Sequence, residues 1–294
     1  MNQSPLVSII IPTYNNADVV CDAIDCSLKQ TYDALEVIVV DDGSADGTGA
    51  LLKDRYGCSI NYIRQENMGL SAARNTGIRN ASGKYLQFLD ADDLIDQAKI
   101  SVQMEQLQGI SGLAVAYCDY VRSAIDDRNV TFRRKTPLLD RQKPFDDLIM
   151  KWETDVSIPP HCFLFDAAFF TKLGISFDES LSTHEDWDCW MSVFACNPEV
   201  VFIDRPLADY RVRSDSMCSN RKKMRDGFLM AIDRQISKNR ADDGAVDRLK
   251  IRRKEIRHLY HDVSPIMRIM DRCHPFIKNI YMETIPWRIR LLLD

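Results

Sequence analysis

Four short apolar runs, the first two rich in Val and Ile, recur along the first hundred residues, and a stretch with the spacing of a helix separates each run from the next. The runs typical of buried strands are residues 7–11, 35–40, 60–64 and 84–89. The stretches that predict helices between them are residues 17–30, 48–56 and 71–80. Strands that alternate with helices at this spacing form βαβ units. We therefore expect an α/β fold with a mostly parallel, Rossmann-like central sheet flanked by helices.

The second half of the chain continues with strand and helix patterns and then changes character. Strands are predicted at residues 115–121, 162–165, 200–203 and 207–212, with helices at 167–173 and 185–196. From residue 221 onward the pattern is long, helical and rich in Lys and Arg. We expect a catalytic domain over residues 1–220 and a basic helical C-terminal extension over residues 221–294.

Composition excludes several classes of protein. Hydrophobic residues make up 45% of the 294 residues and charged residues 28%, which is ordinary for a globular protein and not for a disordered one. No GxGxxG or GxxxxGK[ST] motif is present, which argues against a dinucleotide oxidoreductase and a P-loop enzyme. Residues 1–220 are acidic, which disfavours nucleic-acid binding. No apolar run approaches the roughly 20 residues of a membrane-spanning helix, so we expect a cytoplasmic protein.

Polar and acidic side chains follow the predicted strands where each strand ends. Residues 12–15, 41–44 and 90–93 lie at three such ends, and Arg74 precedes the last of these strands. Because ligands of open parallel sheets bind beyond the carboxyl ends of the strands, we expect these groups to share one crevice. Taken singly, each has an ordinary structural reading, such as helix capping by Asp42.

The acidic cluster at residues 90–93 is the least ordinary of these features. Three carboxylates in four residues repel one another, and they need a cation or strong hydrogen-bond donors to offset that repulsion. Divalent cations prefer oxygen ligands and often share them with phosphates. The cluster therefore predicts Mn²⁺ or Mg²⁺ bound together with a diphosphate.

Five segments, in this order along the chain, resemble the motifs of glycosyltransferase family 2. They are residues 7–15, 39–44, 67–75, 83–93 and 185–188. The resemblance covers about residues 5–215. It implies the GT-A fold and an inverting, metal-dependent enzyme that uses a nucleotide sugar.

The resemblance also implies roles for single residues. Tyr14 would stack on the base, Asp42 would accept a hydrogen bond that suits uracil N3–H, and Asp92 with Asp90 would bind the metal. The residues expected to bind the nucleotide sugar are Pro12, Tyr14, Asp42, Arg74, Asp90, Ala91 and Arg213. The last of them is a departure, since Arg213 stands where relatives frequently have His. A guanidinium cannot ligate metal, but it can hold a diphosphate.

Asp186 resembles the general base of the family, which takes the proton of the acceptor hydroxyl. The residues expected on the acceptor side are His161, Glu185 and Trp187. Together these features predict transfer of a hexose or N-acetylhexosamine, with inversion, from a UDP-sugar to a hydroxyl of a glycan or lipid-linked acceptor. Two alternatives stay open, a nucleotidyltransferase of the same fold and a non-catalytic sugar-nucleotide-binding scaffold subunit. The missing Gly-rich basic loop after the first strand argues against the former, and the intact Asp92 and Asp186 argue against the latter.

The C-terminal extension has two readings. Residues 250–294 combine basic side chains with apolar and aromatic ones, a pattern of helices that lie in a membrane interface. The same apolar faces could instead pack on the catalytic domain or form a homodimer with a second subunit. A membrane contact would place a lipid-linked acceptor at the inner face of the membrane.

Overall fold

The computed structural model describes residues 4–125, 131–132, 138–140, 142–212 and 220–259. Within these ranges, nine strands form one sheet. The strands are β1 (Val7–Thr13), β2 (Leu35–Asp41), β3 (Asn61–Arg64), β4 (Tyr85–Phe88), β5 (Leu94–Ile95), β6 (Ala114–Ala124), β7 (Thr131–Phe132), β8 (Phe163–Asp166) and β9 (Glu199–Val212). The helices are α1 (Val20–Leu28), α2 (Thr48–Tyr56), α3 (Leu70–Asn80), α4 (Lys99–Gln106), α5 (Pro144–Lys151), α6 (Ala168–Thr171), α7 (Glu185–Phe194), α8 (Arg221–Lys238) and α9 (Asp243–Leu259).

The strand order is β3-β2-β1-β4-β8-β6-β9-β5, with β7 paired to β6. The predicted βαβ half is confirmed, since β1 is parallel to both β2 and β4, and β2 is parallel to β3. The second half is mixed, because β8 runs antiparallel to β4 and to β6, whereas β6 and β9 are parallel. The carboxyl ends of β1, β2 and β4 therefore meet at one edge of the sheet, as the sequence indicates.

The two late strands predicted from the sequence form one continuous strand, β9. Its register with β6 shifts on either side of Asp119, which lies opposite Pro206. Proline lacks the N–H of a regular ladder and is tolerated at such irregularities. The apparent break at residues 204–206 is thus a local irregularity inside one strand and not a turn between two.

An aromatic cluster fixes helix α7 against the sheet. Trp190 of α7 stacks on Phe165 of β8, with ring centroids 4.4 Å apart, and it also contacts Phe88 of β4. All three rings are fully buried. The helix therefore presents its N-terminus at the edge of the sheet where β4 ends.

Helices α8 and α9 share the hydrophobic core of the sheet and its other helices. Phe228 and Ile232 of α8 are fully buried, and Gln235 donates a 2.7 Å hydrogen bond to Asp188 of α7. In α9, Leu249 and Ile256 are fully buried as well. The change at residue 220 is thus one of sequence character and not a break in packing. The predicted membrane-interface segment beyond residue 259 lies outside the described residues.

In the described part of the chain, no helix combines the length and the apolar character that crossing a membrane requires.

Candidate active site

Two hydrogen bonds join the loops that follow β1 and β2 at the edge of the sheet where these strands end. The backbone N–H of Asn15 donates to Ser44 Oγ at 2.9 Å, and Asn15 Oδ1 accepts from the backbone N–H of Ala45 at 2.8 Å. Asn15 has a φ of +51°, which Asn tolerates better than most residues. This turn leaves the side chain of Tyr14 48% exposed. Pro12 is buried within β1, next to this ring in sequence.

Asp42 is buried and organises the loop before α3. Its Oδ1 accepts from Gln65 Nε2 at 2.7 Å and from the N–H of Met68 at 2.9 Å. Its Oδ2 accepts from the N–H of Gly69 at 2.7 Å. An ionised carboxylate has about four lone-pair sites, so three donors leave one acceptor position on Oδ2. Asp42 therefore shapes the loop and retains the capacity to accept one further hydrogen bond.

Arg74 joins the end of β4 to the start of α7. Its Nη2 donates to Asp90 Oδ1 at 2.7 Å, and its Nη1 donates to Glu185 Oε1 at 2.8 Å. The guanidinium also lies over the ring of Phe177. Burial alone would lower the pKa of Arg74, but the two carboxylates outweigh burial and raise it. The fully buried guanidinium of Arg74 thus joins Asp90, an acid expected to bind the donor, to Glu185, which precedes the expected general base Asp186.

The acidic cluster after β4 divides into two groups with different surroundings. Asp93 is buried, and its carboxylate accepts from the N–H of Arg211 at 2.8 Å and lies 3.0 Å from His161 Nδ1. The guanidinium of Arg211 in turn donates to the backbone carbonyl of Asp92 and to Asp22. Asp93 and Arg211 therefore hold the turn in place, whereas Asp90 and Asp92 are only half-buried.

Asp90 and Asp92 are the two half-buried carboxylates of this turn that could bind a divalent cation. Among the residues that the structure describes, no group of three or more His, Cys, Asp or Glu side chains could hold a metal ion. Mg²⁺ is usually bound by one or two carboxylates together with substrate phosphates and water. Asp90 and Asp92 fit such a site, in which the nucleotide supplies the remaining oxygen ligands.

Asp186 lies in the first turn of α7, half-buried, directly after the Glu185 that Arg74 binds. Burial and the neighbouring Glu185 carboxylate raise the pKa of Asp186 to about 6, although His184 and Arg74 counteract them. A carboxylate with this pKa is mostly ionised at neutral pH and is a stronger proton acceptor than an ordinary Asp. Its environment suits a general base.

This pKa predicts the pH dependence of the reaction. A general base accepts a proton only when it is ionised, so the rate should rise with pH, by about tenfold per unit below pH 6, and level off above pH 7. The rate at saturating donor, measured between pH 4.5 and 8, checks this prediction. An acid limb near pH 4, where an unperturbed Asp titrates, would contradict it.

Several residues expected to touch ligands are buried instead. Trp187, expected on the acceptor side, is fully buried, and its Nε1 donates to the carbonyl of Leu148 at 2.9 Å. His161, also expected on the acceptor side, is fully buried, and its Nδ1 lies 3.0 Å from Asp93 Oδ2. Ala91 is buried between the two half-buried acids. Arg213 lies outside the described residues.

Three residues of the site were not singled out from the sequence. Arg211 holds the acidic turn, whereas the family resemblance pointed to Arg213, two positions later. His184 and Glu153 face each other next to Asp186, 3.3 Å apart, and both have positive φ angles. The sequence contains no signal for the pair, because 30 residues separate them and neither belongs to a motif quoted above.

Comparison with known families and proteins gives a consistent result. The family model described as "Glycosyl transferase family 2" matches residues 8–174. An uncharacterized glycosyltransferase of Rickettsia prowazekii (strain Madrid E) is 39% identical over 200 residues, which is 65% of this chain and 59% of the relative. The chain thus spans about three fifths of that relative's length.

Solved structures show the same fold at low sequence identity. The S. aureus TarS 1–349 structure in complex with UDP-GlcNAc aligns with a TM-score of 0.64 at 18% identity, covering 94% of this chain and 79% of TarS 1–349. The mannosyltransferase PcManGT from Pyrobaculum calidifontis, in complex with GDP-Man and Mn²⁺, aligns with a TM-score of 0.61 at 16% identity, covering 99% of this chain and 84% of that one. The expected GT-A fold is confirmed.

Proposed function

The chain belongs to glycosyltransferase family 2, and from this premise we propose that it transfers a hexose or N-acetylhexosamine from a UDP-sugar to an acceptor hydroxyl. The acceptor would be a glycan or a lipid-linked glycan, and the configuration at the anomeric carbon would invert. The observation that carries the proposal is the Arg74 bridge, in which one guanidinium donates both to Asp90 of the acidic turn and to Glu185 next to Asp186.

Uracil is the base that Tyr14 and Asp42 support best. The exposed ring of Tyr14 offers a stacking surface, and Asp42 has one acceptor position left for an N–H such as that of uracil N3. TarS 1–349, which shares the fold, was solved with UDP-GlcNAc. The ribose would then lie near Asp90, which follows β4.

The mechanism follows from the positions of the charges. Asp186 would take the proton of the acceptor hydroxyl while that oxygen attacks the anomeric carbon from the face opposite the diphosphate, which inverts the configuration. Asp90 and Asp92 would hold Mn²⁺ or Mg²⁺, which would neutralise charge on the departing diphosphate. Glu185 is paired with Arg74 and is therefore less suited than Asp186 to accept a proton.

A thermal-shift panel tests the donor. Purified protein is heated with UDP, GDP, UDP-glucose, UDP-GlcNAc and GDP-mannose, each with Mn²⁺ and with EDTA. We expect uridine nucleotides with Mn²⁺ to stabilise the protein most, because only bound ligands raise the unfolding temperature. Stabilisation by GDP-mannose alone would overturn the assignment of the base.

The products separate transfer from the alternatives. A glycosyltransferase releases UDP from a UDP-sugar, whereas a nucleotidyltransferase forms or consumes pyrophosphate. Binding without release of UDP from any of these donors, with water or with candidate glycan acceptors, would favour the non-catalytic subunit.

A further inference from the structure

His184 and Glu153 adopt backbone conformations that residues with side chains rarely take. Their φ angles are +59° and +66°, and such angles in non-glycine residues persist only where the surrounding structure enforces them. His184 immediately precedes helix α7, and its Nε2 lies 3.3 Å from Glu153 Oε1. The two residues therefore meet at the start of α7, where His184 lies two positions before Asp186.

Helix α8 packs against His184 on one side. The imidazole ring stacks on the ring of Phe228, with the centroids 4.3 Å apart and the planes 2° from parallel. Thr183, the residue before His184, also packs closely on α8: a Cβ added at Gly227 would lie 1.8 Å from Thr183 Oγ1. A residue larger than glycine at position 227 would displace this segment.

Helix α9 holds Glu153 from the other side. The buried guanidinium of Arg252 donates to the backbone carbonyl of Trp152 and lies 3.5 Å from Thr154 Oγ1, on either side of Glu153 in sequence. Trp152 and Val156 form a β-bridge that closes the loop. The C-terminal helices, which lie beyond the 8–174 segment matched by the family model, thus fix both members of the pair.

The charges around the pair favour a protonated imidazole. Glu153 on its loop, and Asp186 with Glu185 on α7, all raise the pKa of His184, and they outweigh the burial that lowers it. Asp186 is in turn faced by His184, by Glu185 and by Arg74 of α3. A cationic His184 stabilises the ionised form of Asp186.

We propose that His184 and Glu153 form a positioning pair, clamped by α8 and α9, that keeps a positive charge beside the general base Asp186. The proposal rests on the proposed function for the role of Asp186 and for nothing else. His184 does not touch the substrate and acts through Asp186. Without its charge, Asp186 would be protonated over more of the neutral range and would accept a proton less often.

Histidine NMR tests the pair without any substrate. The chain has five His residues, and a His184→Asn variant identifies the His184 signals while keeping a residue that tolerates positive φ. We expect Glu153→Gln to lower the pKa of His184 by about one unit, because an opposite charge at this distance favours the charged form. Asp155→Asn, at an exposed position of the same loop, should leave this pKa unchanged. An unchanged pKa of His184 in Glu153→Gln would overturn the proposal.

The pH dependence of UDP release from UDP-GlcNAc tests the link to Asp186. His184→Asn and Glu153→Gln should move the acid limb upward by about half a pH unit or more, and Asp155→Asn should not. Unchanged limbs with normal unfolding temperatures would overturn the positioning role. If the wild type neither binds nor cleaves UDP-GlcNAc, the proposed function fails, while the NMR result still decides on the pair.

Discussion

Replacing Asp186 by Asn is expected to slow sugar transfer by about 10²- to 10⁴-fold, the usual contribution of a positioned general base. Asn keeps the size of the side chain but cannot accept the proton of the acceptor hydroxyl. Binding of the donor should change little, since Asp186 lies at the start of α7 whereas Tyr14 and Asp42, the residues expected to contact the base of the nucleotide, lie at the ends of β1 and β2. The measurement is the transfer rate together with the affinity for UDP.

The control for this variant is Asp155→Asn, which removes the same charge at an exposed loop position. It should transfer at the wild-type rate. Near-normal transfer by Asp186→Asn would remove Asp186 from the mechanism, and in that case Glu185, its neighbour in the same turn, would be the next residue to test. Loss of UDP binding together with activity would indicate a structural defect in place of a missing base.

Replacing Asp92 by Ala is expected to abolish the part of UDP binding that depends on metal. UDP at one hundred times its Kd stabilises a protein by about 2.7 kcal/mol. In the wild type, this stabilisation should be large with Mn²⁺ and small with EDTA, because a cation offsets the repulsion between the diphosphate and Asp90 and Asp92. In Asp92→Ala the two conditions should give the same small shift, and transfer should fall with it.

Asp54→Asn, at an exposed position of α2, is the matched control and should respond to Mn²⁺ like the wild type. Equal stabilisation of the wild type by UDP in EDTA and in Mn²⁺ would show that the metal has no part in binding. Because Asp90 and Asp92 are the two protein ligands that we propose and the diphosphate would supply others, Mn²⁺ without UDP should stabilise the protein far less than Mn²⁺ and UDP together.

The edge of the sheet where β1, β2 and β4 end could be predicted from the sequence because its geometry follows from local rules. Strands that alternate with helices become parallel neighbours, and the residues after each strand then share one edge. Tyr14, Asp42 and Asp90 were placed correctly at this edge by strand position alone. The central strand β8, which runs against its neighbours, could not be placed, since nothing local to residues 163–166 specifies its direction.

The surroundings of Glu185 and Asp186 depend on contacts between residues far apart in the chain. Arg74 and Glu185 are 111 positions apart, and Arg74 read alone is an ordinary surface residue. Trp187 belongs to the last of the five motif segments, whereas His161 belongs to none of them. The burial of both side chains depends on contacts with distant parts of the chain, Leu148 for Trp187 and Asp93 for His161, which no local pattern predicts.

The clamp formed by α8 and α9 limits where the chain can be cut to make a truncated or exchanged catalytic domain. The segment matched by the family model ends at residue 174, before the Glu185–Asp186 pair, before β9 and before both clamping helices. A chain cut at residue 174 would lack His184 and Trp187, and a chain cut at residue 219 would keep them but lose Phe228, on which both rings pack. An exchange between relatives at either cut would carry the ends of β1, β2 and β4 without α8 and α9, the helices that hold His184 and Glu153. The smallest exchangeable piece of this protein extends at least through Arg252.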